Sequence, residues 1–212
     1  TGVQTCALPI YSIRQKPKAG IGQLRYDTGQ RSNGLPRDEG ALMINARLKD
    51  AVRPLLHQVQ TPGQYMGGEI NSVVKDHSKV RGTLCLCFPD PYAIGQSHHG
   101  MQVLYSIMNA GDEWACERAF TPWIDFESVL RANRLPLYSL ETFTPLRDFD
   151  VVGFSLQYEV LYTNLLTMLD LGGIPLMSEE RTLEHPLVVA GGPGAQNPEV
   201  LGDVVDLFII GD

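Results

Sequence analysis

The fold is decided by residues 150–156, whose sequence is Asp-Val-Val-Gly-Phe-Ser-Leu. Val151 and Val152 favour a buried strand, and Ser155 places a hydroxyl just past its carboxyl end. An apolar stripe at helical spacing follows and ends before a Gly-Gly pair: Leu161, Leu165, Met168 and Leu169. A strand, a loop and a helix are half of a βαβ unit. Because ligands of open α/β sheets bind at the carboxyl ends of such strands, residues following each strand are candidate site residues.

Four further apolar runs predict strands that alternate with helices. They are residues 83–88, 114–120, 187–190 and 206–210. This rhythm predicts an α/β fold, a flavodoxin-like or Rossmann-like doubly wound parallel sheet of about five strands in the order 2-1-3-4-5. The sequence stops as the fifth strand finishes, so we expect a truncation there.

Two of the helices between the strands have candidate caps. Ser97 can cap a helix with an apolar stripe of Met101, Leu104, Tyr105 and Met108. Asp125 can cap a second helix over residues 125–133.

Composition and charge disfavour some classes of partner. The chain of 212 residues has a net charge of -7 and no Lys/Arg run, which does not favour a nucleic-acid surface. No apolar run approaches the roughly 18 residues of a membrane helix, and no secretory signal is evident. Cys85 and Cys87 lie on one face of an apolar strand and are predicted to be buried thiols. Reduced thiols indicate a cytoplasmic protein.

The chain divides into three predicted regions. Residues 1–42 are expected to be a disordered or artefactual leader, since residues 1–10 resemble a translated sequencing adapter and residues 11–42 lack apolar periodicity. Met43 is the expected true start. Residues 43–79 form an N-terminal helix and an irregular arm, and residues 80–212 form the α/β domain. In the arm, residues 65–71 (Tyr-Met-Gly-Gly-Glu-Ile-Asn) are either a conformationally special loop or a docking segment.

Three loops of the predicted sheet carry the candidate site. Parallel strands bring the loops after strands one, three and four to one edge, where small residues let backbone N–H groups approach a ligand. The candidate residues are Asp90, Tyr92, Gly95, Ser155, Leu156, Gly191 and Gly192.

These loops resemble those of the cobalamin (B12)-binding domain at the amino end of many radical S-adenosylmethionine (radical SAM) proteins. That family has Asp-x-His-x-x-Gly after strand one, Ser-x-Leu after strand three and Gly-Gly after strand four. Here Tyr92 replaces the histidine, Ser155 and Leu156 are adjacent, and Gly191-Gly192 is retained. Residues 65–71 and 153–159 resemble one bacterial branch of this family, and the resemblance extends over residues 55–212.

The resemblance implies a cofactor-binding module of a radical SAM enzyme. It implies that the seven loop residues hold cobalamin with no histidine on cobalt, since a neutral phenol is a poor cobalt ligand. The radical SAM signature Cys-x3-Cys-x2-Cys is absent from the printed sequence. The 4Fe-4S cluster and S-adenosylmethionine are therefore expected only in a downstream radical SAM barrel of the same polypeptide. No catalytic residue and no metal ligand is assigned here, and the fragment alone is not expected to be catalytic.

Other interpretations of the same residues remain. Asp90 can cap its loop, Tyr92 can be a packed aromatic residue, and Gly191-Gly192 can serve a tight turn. Without the histidine, cobalamin binding can also be lost, or another ligand can use the site. The alternative function is a degenerate Rossmann-like domain without cobalamin, which serves substrate capture or docking on the radical SAM barrel.

Overall fold

The computed structural model describes residues 45–211. The predicted leader over residues 1–42, the adapter-like residues 1–10 and the expected start at Met43 lie outside this range, as does Asp212.

Five parallel strands form one sheet in the order β2-β1-β3-β4-β5. Every pairing is parallel, which confirms the predicted flavodoxin-like α/β fold. The strands are β1 (Gly82–Phe88), β2 (Trp114–Phe120), β3 (Val151–Ser155), β4 (Leu187–Gly191) and β5 (Leu207–Ile209).

In the described part of the chain, five α-helices accompany the sheet, with short 3-10 segments between them. They are α1 (Ala46–Val52), α2 (Tyr92–Gly95), α3 (His99–Asn109), α4 (Ile124–Asn133) and α5 (Leu161–Leu171). The 3-10 segments include Arg53–Gln58, Pro62–Tyr65, Pro193–Gln196 and Pro198–Leu201. Within residues 45–211, no helix combines the length and the apolar character needed to cross a membrane.

The sheet has a separate hydrophobic cluster on each face. Leu86 and Phe88 of β1 pack with Met101 of α3 on one face. Cys85 and Cys87 point to the opposite face, into the cluster that α1, α4 and α5 cover. Both thiols are fully buried with their sulfur atoms 3.8 Å apart, which confirms that prediction. Burial raises the pKa of the Cys85 thiol well above its ordinary value.

Two predicted helix caps are wrong by one or two residues. His98, not Ser97, caps α3, because its ring nitrogen accepts a hydrogen bond from the Met101 N–H at 3.2 Å. The Ser97 hydroxyl donates instead to the backbone of the preceding turn. Helix α4 already begins at Ile124, so Asp125 lies in its first turn, where its carboxylate suits the helix dipole. Of the apolar stripe of α3, Met101 and Tyr105 are buried, whereas Leu104 is exposed.

The outer edge of β2 is capped by the chain itself. The side-chain amide of Asn109 accepts from the Cys116 N–H and donates to the Cys116 carbonyl, at 3.1 and 2.9 Å. Two residues further along the strand, the Arg118 N–H donates to the Glu141 carboxylate at 2.7 Å. The Arg118 carbonyl accepts from the Leu140 N–H at 2.9 Å. The backbone N–H and C=O groups of Cys116 and Arg118 on the outer edge of β2 are therefore hydrogen-bonded as though another strand lay beside them.

Candidate functional site

The seven residues predicted from the sequence all lie at the carboxyl edge of the sheet. They lie at or just beyond the carboxyl ends of β1, β3 and β4, which neighbour one another in the strand order. Ser155 and Gly191 are the last residues of β3 and β4, and Tyr92 and Gly95 are the ends of α2. Asp90 and Ser155 are about nine-tenths buried, and Leu156 is completely buried. The topology thus brings the predicted residues together, and their hydrogen bonds decide what they can do.

The loops after β1 and β3 are tied to each other. The Tyr158 hydroxyl donates a hydrogen bond to the Asp90 carboxylate. This bond is the main cause that raises the pKa of Tyr158. The Asn164 side chain, on α5, donates to the Pro89 carbonyl at 2.9 Å. The Asp90 carboxylate is therefore held by protein, and Tyr158 is a partner that the sequence did not indicate.

The glycine pair after β4 serves a close approach between loops. Gly192 has a φ of 94°, and a Cβ placed there would lie 2.5 Å from the Leu156 carbonyl oxygen. The Leu156 N–H donates to the Gly191 carbonyl at 2.8 Å, and the Gly194 N–H donates to the Leu156 carbonyl at 2.9 Å. The Ser155 hydroxyl accepts from the Gln157 side chain at 3.0 Å. Glycine is required at position 192 by the neighbouring backbone.

Tyr92, at the position of the family's histidine, is directed towards the arm. Its hydroxyl donates to the Glu69 carboxylate at 2.5 Å, and its ring packs edge-on against Phe120, with centroids 5.3 Å apart. Burial first, and then the hydrogen bond to Glu69, raise the pKa of Tyr92 to about 12. The phenol therefore stays protonated at neutral pH. Gly95 packs tightly here, since a Cβ would lie 2.5 Å from the Phe120 ring.

A buried ionic cluster lies behind Tyr92. The Arg118 guanidinium donates to Glu141 and Glu69, each at 2.7 Å, and to Gln96 at 2.9 Å. Burial alone would lower the pKa of Arg118, but Glu141 and then Glu69 outweigh it and raise that pKa above its ordinary value. Burial also raises the pKa of Glu141 despite the neighbouring guanidinium.

A second buried carboxylate, that of Glu117 on β2, is held on the other face of the sheet. Glu117 is about 1% exposed and accepts hydrogen bonds from His77 at 2.5 Å, Ser139 at 2.5 Å and Thr142 at 2.7 Å. The sequence signal for both clusters was a Glu-Arg pair inside an otherwise apolar strand, Trp-Ala-Cys-Glu-Arg-Ala-Phe. Charged side chains in such a run need buried partners.

The family of the chain follows from a comparison with family models. The model described as "Radical SAM proteins, N-terminal" matches residues 100–212, just over half of the chain. The chain belongs to this family. It is therefore an N-terminal module of a radical SAM protein. Comparison with curated proteins and with solved structures found no match.

The cofactor that the resemblance implies for this radical SAM N-terminal domain can be tested against its loops. The groups that would face cobalamin are bonded to protein: Asp90 to Tyr158, Ser155 to Gln157, and Gly192 lies against a carbonyl. A void beside the Tyr92 ring measures about 10 Å³, which is room for one water. A cleft of about 280 Å³ lies elsewhere, beside α1. In this arrangement, a corrinoid at this edge would have to displace the hydrogen bonds of Asp90 and Ser155.

One buried polar atom at this edge of the radical SAM N-terminal domain lacks a partner. Among residues 45–211, the Thr121 hydroxyl is buried and accepts or donates no hydrogen bond. Thr121 directly follows β2, and its N–H donates to the Asp90 carbonyl at 3.1 Å. A buried hydroxyl normally has a partner, so the Thr121 hydroxyl is a group that could still bond to a ligand.

Proposed function

We propose that this radical SAM N-terminal domain is a docking module whose carboxyl sheet edge packs against the radical SAM domain of the same polypeptide. One observation carries the proposal: exposed apolar side chains follow three strands at this edge. They are Ile94 after β1, Trp123 and Ile124 after β2, and Tyr158 and Val160 after β3. Exposed apolar side chains grouped at one edge are typical of an interaction surface.

The direction of the last strand supports the choice of partner. β5 runs parallel to the other strands, so residue 210 leaves the sheet at the carboxyl edge. A domain that follows in sequence would start at the same edge of the sheet as the exposed apolar residues. Burying each of these large side chains would contribute about 1.5–3 kcal/mol.

Hydrogen exchange measured by mass spectrometry tests this proposal. Residues 121–126 and 157–162 should exchange more slowly in the full-length radical SAM protein than in the 212-residue chain. Residues 181–186, which precede β4 at the opposite edge, should exchange equally in both. Equal exchange of the carboxyl-edge segments in the two proteins would refute the docking proposal.

A matched pair of variants makes the test specific. Ile124 is 72% exposed at the carboxyl edge, and Ile107 is 63% exposed near the carboxyl end of α3, at the amino edge of the sheet. Ile124→Asp should remove the protection in the full-length protein, because a carboxylate would be buried at the interface. Ile107→Asp, with the same chemical change, should leave it intact.

A second candidate function is cobalamin binding at the same edge without a histidine on cobalt. The partnerless Thr121 hydroxyl beside Asp90 favours it, while the hydrogen bonds of the loops oppose it. Titration of hydroxocobalamin into the full-length protein, followed by absorbance, is the test. Tyr158→Phe should strengthen binding by freeing Asp90, and Tyr92→His should shift the cobalt spectrum towards nitrogen coordination. An unchanged spectrum at saturating cobalamin would leave docking as the function.

A further inference from the structure

The arm segment over residues 65–71 has a backbone conformation that requires glycine at two successive positions. Gly67 and Gly68 have φ values of 61° and 77°. A Cβ on Gly67 would lie 2.0 Å from the Leu140 carbonyl oxygen. Two successive left-handed residues and this close approach both require glycine. The segment therefore has the special backbone conformation that the sequence suggested, and this conformation is compatible with the docking role that the sequence also suggested.

Both ends of the segment are anchored to the carboxyl edge of the sheet. At the first end, the Tyr65 ring stacks on Phe126 at 3.9 Å, and its hydroxyl accepts from the Trp123 N–H at 3.2 Å. The Tyr65 carbonyl accepts from the Tyr138 hydroxyl at 2.9 Å. Trp123 belongs to the loop after β2, so this anchor fixes the segment beside the proposed docking edge.

The second anchor is the Glu69 carboxylate. One oxygen accepts from the Tyr92 hydroxyl at 2.5 Å. The other accepts from Arg118 at 2.7 Å and from Gln96 at 3.2 Å. Tyr92 and Gln96 lie at the two ends of α2, in the connection after β1, so the segment bridges the connections that follow two neighbouring strands. Charge-assisted bonds of this kind are the stronger ones and hold the backbone of residue 69 in place.

The anchored segment presents apolar side chains to solvent. Ile70, next to the Glu69 anchor, is fully exposed, and Met66, next to the Tyr65 anchor, is 42% exposed. An apolar side chain on a fixed backbone loses little conformational entropy when a partner buries it. No residue in the range 45–211 covers Ile70, although Tyr65 and Glu69 on either side of the glycine pair are held by hydrogen bonds.

We propose that Met66 and Ile70 form a contact element that the radical SAM domain of the same polypeptide buries, with Ile70 at its centre. The inference rests on the proposed docking function and extends its surface beyond the strand loops to the arm. The partner is the domain that would continue from β5, because the anchors of the arm and residue 210 lie at the same sheet edge. A second copy of this chain is the competing occupant.

Thiol footprinting tests the contact element, with Leu183 as a matched control. Leu183 is fully exposed, like Ile70, but precedes β4 at the amino edge. Ile70→Cys and Leu183→Cys are made in a Cys6→Ser background, and labelling is mapped by mass spectrometry. In the 212-residue chain both should react at similar rates. In the full-length protein, residue 70 should be protected at least tenfold relative to residue 183.

The possible results separate this inference from the docking proposal. Equal labelling of both positions in the full-length protein, with slowed exchange of residues 121–126, overturns the contact element and leaves docking intact. Equal labelling without slowed exchange overturns both. Protection of residue 70 in the 212-residue chain that grows with protein concentration assigns the surface to a second copy and also overturns the inference. Glu69→Ala should reduce the protection at residue 70 while residues 121–126 stay slow, because only the arm is released.

Discussion

Replacing Arg118 with methionine should destabilise the domain strongly, because the substitution strands a buried carboxylate. Arg118→Met keeps an unbranched apolar stem but removes the hydrogen bonds to Glu141, Glu69 and Gln96. Glu69 is 23% exposed on its side chain and can regain water, whereas the Glu141 side chain is fully buried. Breaking a buried pair in this way costs about 3–5 kcal/mol. That is a large share of the roughly 5–15 kcal/mol that stabilises most domains.

A second substitution shows whether the stranded charge is the cause. Glu141→Gln in the Arg118→Met background removes the charge and keeps an oxygen for the backbone N–H of residue 118, which Glu141 accepts at 2.7 Å. The double variant should recover about 1–3 kcal/mol. Arg131→Met is the exposed control: Arg131 is 47% exposed and bonds Glu127 and Asp170. Its loss should cost no more than about 1 kcal/mol.

The loss of stability caused by Arg118→Met should also depend on pH. Without the guanidinium, the pKa of Glu141, which burial already raises, rises further in the folded state. A carboxyl whose folded pKa exceeds its unfolded pKa stabilises the folded state as the pH falls through the folded value. The difference in free energy of unfolding between wild type and variant should therefore become smaller as the pH falls. Urea unfolding followed by tryptophan fluorescence measures the free energy of unfolding of wild type and variants at each pH. A loss below about 1 kcal/mol, or one that Glu141→Gln leaves unchanged, would refute the reasoning.

Three further outcomes are expected. Cys85 and Cys87, both fully buried, should react with a thiol reagent only after unfolding, and fast native labelling would contradict their placement. Gly192→Ala, at a φ of 94°, should cost about 1–3 kcal/mol in urea unfolding. Gly191→Ala, where a Cβ meets only ordinary contacts, should stay within about 1 kcal/mol of wild type. Because the pKa of Tyr92 is raised from 10.0 to about 12, its contribution to stability is complete below pH 10 and is lost between pH 10 and 12. Tyr92→Phe should lack that part of the alkaline decline, and an identical decline would exclude this cause.

The sheet and its edge were accessible from the sequence because they depend on local patterns. Buried apolar runs separated by helical stripes specify a parallel sheet, and a parallel sheet brings the loops of neighbouring strands to one edge. The position of Asp90, Ser155 and Gly192 at that edge follows from these two facts. The site residues could therefore be placed without any knowledge of their contacts.

The hydrogen bonds of the site were not accessible, because their partners are far apart in sequence. Asp90 and Tyr158 are separated by 68 positions, and Glu69 and Arg118 by 49. No spacing rule connects residues across such distances. The predicted role of Gly192 as a ligand cradle met a similar limit, since its close neighbour is a carbonyl of another loop. Whether any of these residues holds a cofactor stays a prediction.

The pairing of the outer edge of β2 has a consequence for how the protein behaves at high concentration. An open strand edge offers unpaired N–H and C=O groups that can template a strand from another chain and start aggregation. At Cys116 and Arg118 these groups are already taken by Asn109, Glu141 and Leu140. An incoming strand would have to displace three partners before forming its first bonds. The apolar sheet is thereby closed to growth on the β2 side without a sixth strand.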